Sequence, residues 1–289
     1  MEGIGYVLLA ITMPIVIARV ISEKSRPLAM GIWGTFIPGG IALSMLASQF
    51  FPGQWRPLWW VTCIYALIAL AVLLFYVVPS LKRQQHDRPA AAQHDGLYTS
   101  VFSRDPLLLA ASFMLYSMLF VTLVTFLPTV LSESSRLTVE QATTVSVYIV
   151  LCNIAGNLTG GWLIGRGVAL KLVLMAAIVG AGLFAGLVFI DVLDLSLRVT
   201  SGLLACYLGG MLPAAVFASI ATFVAPQKSG LLLGVVFQAL ACGQVAGPVT
   251  LAALVETTGS WQSGVVYFFL LALAGCIVLL RFQSRKKNE

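Results

Sequence analysis

The sequence predicts an all-α polytopic membrane protein with nine transmembrane helices. Three observations carry that prediction. The 289 residues are 59% hydrophobic and only 10% charged, against about 45–50% apolar and about 25% charged in an average soluble domain. The apolar residues fall into nine long uncharged runs. The basic residues, finally, fall almost wholly on alternate connections between those runs.

Composition excludes a soluble globule, because so few charges leave too little polar surface to face water. The uncharged runs are 3–18, 28–55, 57–81, 106–132, 141–165, 172–190, 199–227, 229–255 and 257–280. A helix crossing the hydrocarbon core needs about 20 apolar residues. Strands of a membrane barrel need about 10 with alternating polarity, and these runs are too long and too uniform for that. The connections "SEKSRP", "FPGQWRP", "ESSRLTVEQ", "DVLDLSLR", "PQKS" and "ETTGSWQ" are short and polar. One connection, residues 80–105, is longer and holds both histidines, His86 and His94. Its Pro, Ala, Gln and charge read as a solvated linker rather than a metal or catalytic site.

Sidedness follows from the charges. Alternate loops place Arg19, Lys24, Arg26, Lys82, Arg83, Arg88, Arg104, Arg166, Lys171, Lys228, Arg281, Arg285, Lys286 and Lys287 on one face. Arg56, Arg136 and Arg198 remain for the other, a split of fourteen to three. The positive face is the cytoplasmic one, so the C-terminus is expected inside and the N-terminus outside. The first run has no basic residue ahead of it and positive charge after it, which is the reverse of a signal peptide. The five cysteines all sit in apolar runs without a close pair, so they read as small helix residues rather than metal ligands.

The chain also repeats itself. Residues 25–55 and 228–261 align Gly31 with Gly234 and Gly40 with Gly243 at an offset of 203, and Trp55 with Trp261 at 206. Runs 1–3 therefore resemble runs 7–9, and both copies cross in the same direction. That is a parallel repeat, as in transporters whose halves relate by an axis along the membrane normal. Runs 4–6 have no upstream partner. A complete repeat would place about 100 further residues and three helices ahead of Met1. The expected organisation is residues 1–79 as the remainder of an N-terminal bundle, 80–105 as a cytoplasmic linker, and 106–289 as a complete six-helix bundle.

Several segments resemble motifs of the major facilitator superfamily. "EGIG" at 2–5 is similar to the end of the family's fourth-helix motif, without its arginine. "GTFIPGG" at 34–40 resembles the fifth-helix glycine/proline motif, and "GQVAGP" at 243–248 its symmetry-related counterpart. "GGWLIGRG" at 160–167 resembles the family's cytoplasmic Gly-x-Leu-x-Asp-Arg loop, with Gly165 where the acidic residue belongs. The resemblance spans the whole chain, mapped to the family's helices 4–12, and is nearest to cyanate- and nitroimidazole-type carriers. It implies a parallel-repeat architecture lacking the first three helices. It also implies secondary active transport of a small solute, a small anion or a drug-like molecule, by alternating access in a bacterial inner membrane. It implies no cofactor and no nucleic-acid partner.

Polar residues in spans are expensive and turn inward. Asn153 and Asn157 lie four apart on one helical face and serve either as interhelical glue or as substrate ligands. The resemblance places Tyr6, Tyr116 and Tyr207 on cavity-lining helices. Gln238 is a further cavity candidate; Gln244, six residues on, faces another way. Glu2, at the edge of the first span, is the coupling candidate, for example for protons. The alternatives are a titratable group in the missing helices or a uniporter. The resemblance gives Gly34, Pro38, Gly39, Gly40, Gly161, Arg166, Gly243, Gly247 and Pro248 packing and gating roles. Gly156–Gly160 and Gly182–Gly186 are small-xxx-small pairs suited to close helix approach. No P-loop, HExxH or Ser/His/Asp set is present, which argues against ATP drive and against an enzyme. The competing reading is a truncated, non-transporting fragment.

Overall fold

A computed structural model describes residues 2–51, 54–79, 101–135, 137–224 and 228–282. Within these the chain is helical and no strand is present. The helices are α1 (Glu2–Val20), α2 (Arg26–Gly34), α3 (Phe36–Gln49), α4 (Trp55–Val72), α5 (Arg104–Ser135), α6 (Val139–Gly165), α7 (Leu170–Val188), α8 (Leu195–Phe223), α9 (Ser229–Thr258) and α10 (Ser263–Leu280). Among the described residues, eight stretches are long and apolar enough to cross a membrane, with α2 and α3 counted together as Arg26–Gln49. With the 19-residue α1, they reproduce the nine runs in order. The chain is an integral membrane protein. Residues 80–100, which include His86, His94 and most of the expected linker, lie outside the described residues, as do residues 283–289.

The second run is two helices rather than one. Pro38 has no N–H to bond the carbonyl one turn back, and the Thr35 hydroxyl bonds Ile32 O at 2.7 Å. The helix breaks at Thr35 and restarts at Phe36. At the end of the third run, α4 passes into a π-helical turn, Leu73–Val77. The α6 start is fixed by a capping box, in which Thr138 Oγ1 accepts from Gln141 N and Gln141 Oε1 accepts from Thr138 N. At the other end of the sequence, α9 stops at Gly259, whose φ of 67° is left-handed, a conformation that favours glycine.

The chain forms two compact units, Met1–Ala42 with Tyr98–Glu289, and Leu43–Leu97. In the first unit α8 packs along α6 and α7, α9 along α5, and α10 along α7. α2 lies on α6 and α8, and α1 on α9. Glycines set these crossings. A Cβ at Gly160 would lie 2.6 Å from Met211 O, and one at Gly156 would fall on Tyr207 O. Gly182 meets Ala272 and Phe268 of α10, and Gly186 meets Phe269. Both small-xxx-small pairs are therefore helix contacts. In the second unit, Arg56–Tyr76, which holds most of α4, is long and apolar enough to cross a membrane.

Candidate functional site

The α6–α8 crossing turns one face of α6 into the protein interior. Asn153 and Asn157, four residues apart, both end fully buried there. Asn153 Nδ2 donates to Cys206 O of α8 at 3.1 Å and to the Tyr116 hydroxyl of α5 at 3.2 Å. Asn157 Nδ2 donates to Asn153 Oδ1 at 2.9 Å and to Asn153 O at 3.0 Å. Three candidates from different parts of the sequence thus form one buried polar chain joining α5, α6 and α8. Its last atom, Asn157 Oδ1, has no hydrogen-bond partner.

That end of the chain faces α2. A Cβ on Gly34 would collide with Asn157 Oδ1, and a Cβ on Gly31 would lie 2.7 Å from Asn157 O. Gly161 is the reciprocal contact: its Cβ would lie 2.6 Å from Pro27 O and 3.2 Å from Gly31 Cα. The close approach of α2 to α6 therefore depends on glycine from both sides.

Beside the polar chain lies a narrow slot of about 20 Å³, room for about one water. Its wall comes from Gly34, Phe36, Ile37 and Pro38 of α2 and α3; Phe113, Tyr116, Ser117, Phe120 and Val121 of α5; Pro213 and Phe217 of α8; and Leu240 and Gln244 of α9. Ser117 Oγ donates to Leu240 O at 2.9 Å, tying α5 to α9. None of these lining residues is charged. Next to Val121 on α5, Thr122 Oγ1 and the Tyr267 hydroxyl lie 3.3 Å apart, and Tyr267 donates to Gly247 O at 3.1 Å.

The remaining candidates are dispersed. Tyr207, half-buried, has its hydroxyl 3.2 Å from Thr159 Oγ1 and is absent from the slot lining. Gln238 is exposed, with Nε2 3.8 Å from Cys242 Sγ, and lines a separate open apolar groove with Gly230, Gly234 and Leu107. It is Gln244 that reaches the slot. Glu2 and Tyr6 lie in α1, with side chains outside the described residues. Gly243 packs on Met114 O, and a Cβ at Gly247 would lie 2.5 Å from Thr122 Oγ1, whereas Gly39 only touches Ile154 and Gly40 has nothing within 4 Å. Pro248 lies inside α9. Arg166 caps the end of α6, its guanidinium 4.4 Å from the Trp162 ring centroid.

One buried group stands outside the sequence expectations. Arg198, counted there in an outer loop, sits in the first turns of α8 and is 1% exposed. Its Nε donates to Val188 O at 2.7 Å, and its Nη1 to Ser134 Oγ at 2.6 Å and Ser135 Oγ at 3.1 Å. It joins the ends of α5 and α7, where a cation complements the helix dipole. Nearby, Trp261 Nε1 donates to Glu133 Oε2 at 2.8 Å and Gln262 Nε2 to Asp191 Oδ2 at 3.1 Å.

The family model described as Major Facilitator Superfamily matches residues 1–209. No curated protein matches the chain at a significant level.

Proposed function

The chain belongs to the major facilitator superfamily and is a transporter of that type, and from that premise we propose that it moves a small solute by secondary active transport. The observation that carries this reading is the slot itself. It lies where α2 and α3 meet α5, α8 and α9, so elements from both copies of the sequence repeat wall it. Alternating access at a repeat interface uses such a place.

In this reading residues 106–289 are one six-helix half, 1–79 belong to the other, and 80–105 link them. The basic face, with the C-terminus, is cytoplasmic, and the membrane is a bacterial inner membrane. Tyr116, with Asn153 and Asn157 behind it, contributes to the solute site. Tyr6, Tyr207 and Gln238 are further cavity candidates in other conformations. Glu2 is the coupling residue, with protons as its ion. The glycine contacts of Gly34 and Gly161 let α2 dock on α6 and leave it again. Gly243, Gly247 and Pro248 do the same for α9 against α5.

The test is solute counterflow into liposomes containing the purified full chain, across a panel of small anions and neutral drug-like solutes. Accumulation above empty liposomes is expected for at least one class, and its reduction by Gly161→Leu. A panel with no accumulation above empty liposomes refutes the reading.

A further inference from the structure

A second cavity, of about 20 Å³, lies where α1, α2, α8 and α9 meet. It has room for about one water. Its wall is largely apolar, with Ile15 of α1, Met30 of α2, Phe217 and Ile220 of α8, and Leu233 of α9. All but Ile15 are buried, and a Cβ on neighbouring Gly230 would lie 3.3 Å from Ile15 Cδ1. One charged side chain lines the cavity, that of Arg26. Its Nε is buried and has no hydrogen-bond partner. No carboxylate lines the cavity, and Glu23, the acidic residue nearest in sequence, is exposed.

The sequence repeat brings a second feature to the same place. Arg26 and Ser229 stand at an offset of 203, the one that also relates Gly31 to Gly234. They are the first residues of α2 and α9, and both line the cavity. Equivalent helix starts of the two copies therefore meet here, each with the positive end of its dipole. Neither N-cap residue, Ser25 or Lys228, bonds its helix through its side chain.

A guanidinium held among apolar side chains without a counter-charge is costly, and helix starts favour an anion. The anion that answers both must be about the size of a water. Chloride meets that limit. Phosphate, sulfate, a carboxylate or a lipid headgroup, each with several heavy atoms, does not.

We infer that this cavity is a halide site, in which one chloride ion bonds the Arg26 guanidinium between the first turns of α2 and α9. The ion belongs to the helix junction and not to the solute slot, whose lining carries no charge. Opening the junction returns Arg26 to water and releases the ion. Chloride therefore favours the arrangement in which the four helices meet, and acts on the chain without being its solute.

The experiment uses the purified full chain in detergent, in chloride, bromide, sulfate or gluconate at matched ionic strength. Direct binding is read as broadening of the chlorine NMR line by the protein. Saturable broadening is expected, reversed by bromide and left in place by sulfate. With chloride at about twenty times its dissociation constant, the chain should melt about 3–5 °C above its value in gluconate. Arg26→Gln should lose both the broadening and the chloride-dependent shift. Arg281→Gln, which removes an exposed arginine at the end of α10, should keep both. Bromide competition needs no variant, so it decides the matter even if Arg26→Gln misfolds. The inference is overturned by absence of saturable broadening, by sulfate displacing chloride as well as bromide does, by equal melting in chloride and gluconate, or by a folded Arg26→Gln chain that binds chloride like the parent. Loss of the broadening in Arg281→Gln would overturn it too, since the ion would then be answering to general surface charge.

Discussion

Gly160→Ala is the sharpest test of how the site is held. The added Cβ would lie 2.6 Å from Met211 O and 2.7 Å from Met211 Cα, where ordinary contact begins at 3.4 Å. The obstacle is backbone, which cannot swing away like a side chain. α6 and α8 must therefore part by about 0.7–0.8 Å at this point. Asn153 Nδ2 lies 3.1 Å from Cys206 O across the same crossing. Half of that displacement stretches the bond to about 3.5 Å, where it ceases to count as one. Overpacking of this kind costs about 1–3 kcal/mol, while alanine's better helix propensity returns about 1 kcal/mol. Gly40→Ala is the control, since nothing lies within 4 Å of a Cβ there; it should gain the propensity and lose nothing. At about 2–4 °C per kcal/mol, Gly160→Ala should melt several degrees below the parent, and Gly40→Ala at or above it. The assay is thermal unfolding of both variants in the same detergent, followed by tryptophan fluorescence. Equal melting of the two variants would refute the claim that this crossing is set by backbone contact.

Three further outcomes are expected. Asn153→Leu should destabilise the chain by about 2 kcal/mol, because it breaks bonds to Tyr116, Cys206 and Asn157 at once; Asn157→Leu should cost less, since it also removes an unpaired acceptor, and denaturant titration in mixed micelles would show the order reversed if this is wrong. Arg198→Met should cost about 3 kcal/mol through three lost charge-assisted bonds, and Arg198→Lys should recover only part because one ammonium cannot reproduce the planar fork; parent-like melting of the lysine variant would contradict the clasp. Thr138→Ala should cost about 1 kcal/mol through loss of the capping box, read as faster amide exchange in the first turn of α6 with α8 unaffected.

The spans were legible because each is a long uncharged run, and lipid tolerates no other polarity pattern for a helix. The break at Thr35 was not, because Gly34, Thr35 and Phe36 look as membrane-compatible as their neighbours, although Pro38 marked the neighbourhood. The pairing of Asn153 with Asn157 follows from helical spacing alone. Their partners do not: Tyr116 and Cys206 O reach them through two other helices, and only the crossings put them within 3.2 Å. The two glutamines show the same limit. Six residues of separation says that Gln238 and Gln244 face apart, but which of them meets the slot depends on how α9 is rotated against α5. Arg198 was hidden by its surroundings, since "DVLDLSLR" reads as a polar connection, whereas α8 begins at Leu195 and the arginine falls one turn inside it.

These particulars meet in α6. Gly156 and Gly160 hold α8, Gly161 holds α2, and Asn153, just before Gly156, bonds Tyr116 of α5. The two attachments differ in kind. The α8 side combines backbone contact with the Asn153–Cys206 bond, so its polar groups are paired. The α2 side combines backbone contact with a buried group lacking a partner, Asn157 Oδ1, which faces Gly34. Each unsatisfied buried group costs about 1–3 kcal/mol relative to a paired one. Docking of α2 is thus opposed by a term that pairing or hydration would relieve, whereas separation of α6 from α8 would break bonds already made. The same helix is bound firmly on one side and weakly on the other, and α2 is the neighbour that can leave without a polar bond being broken at Asn157.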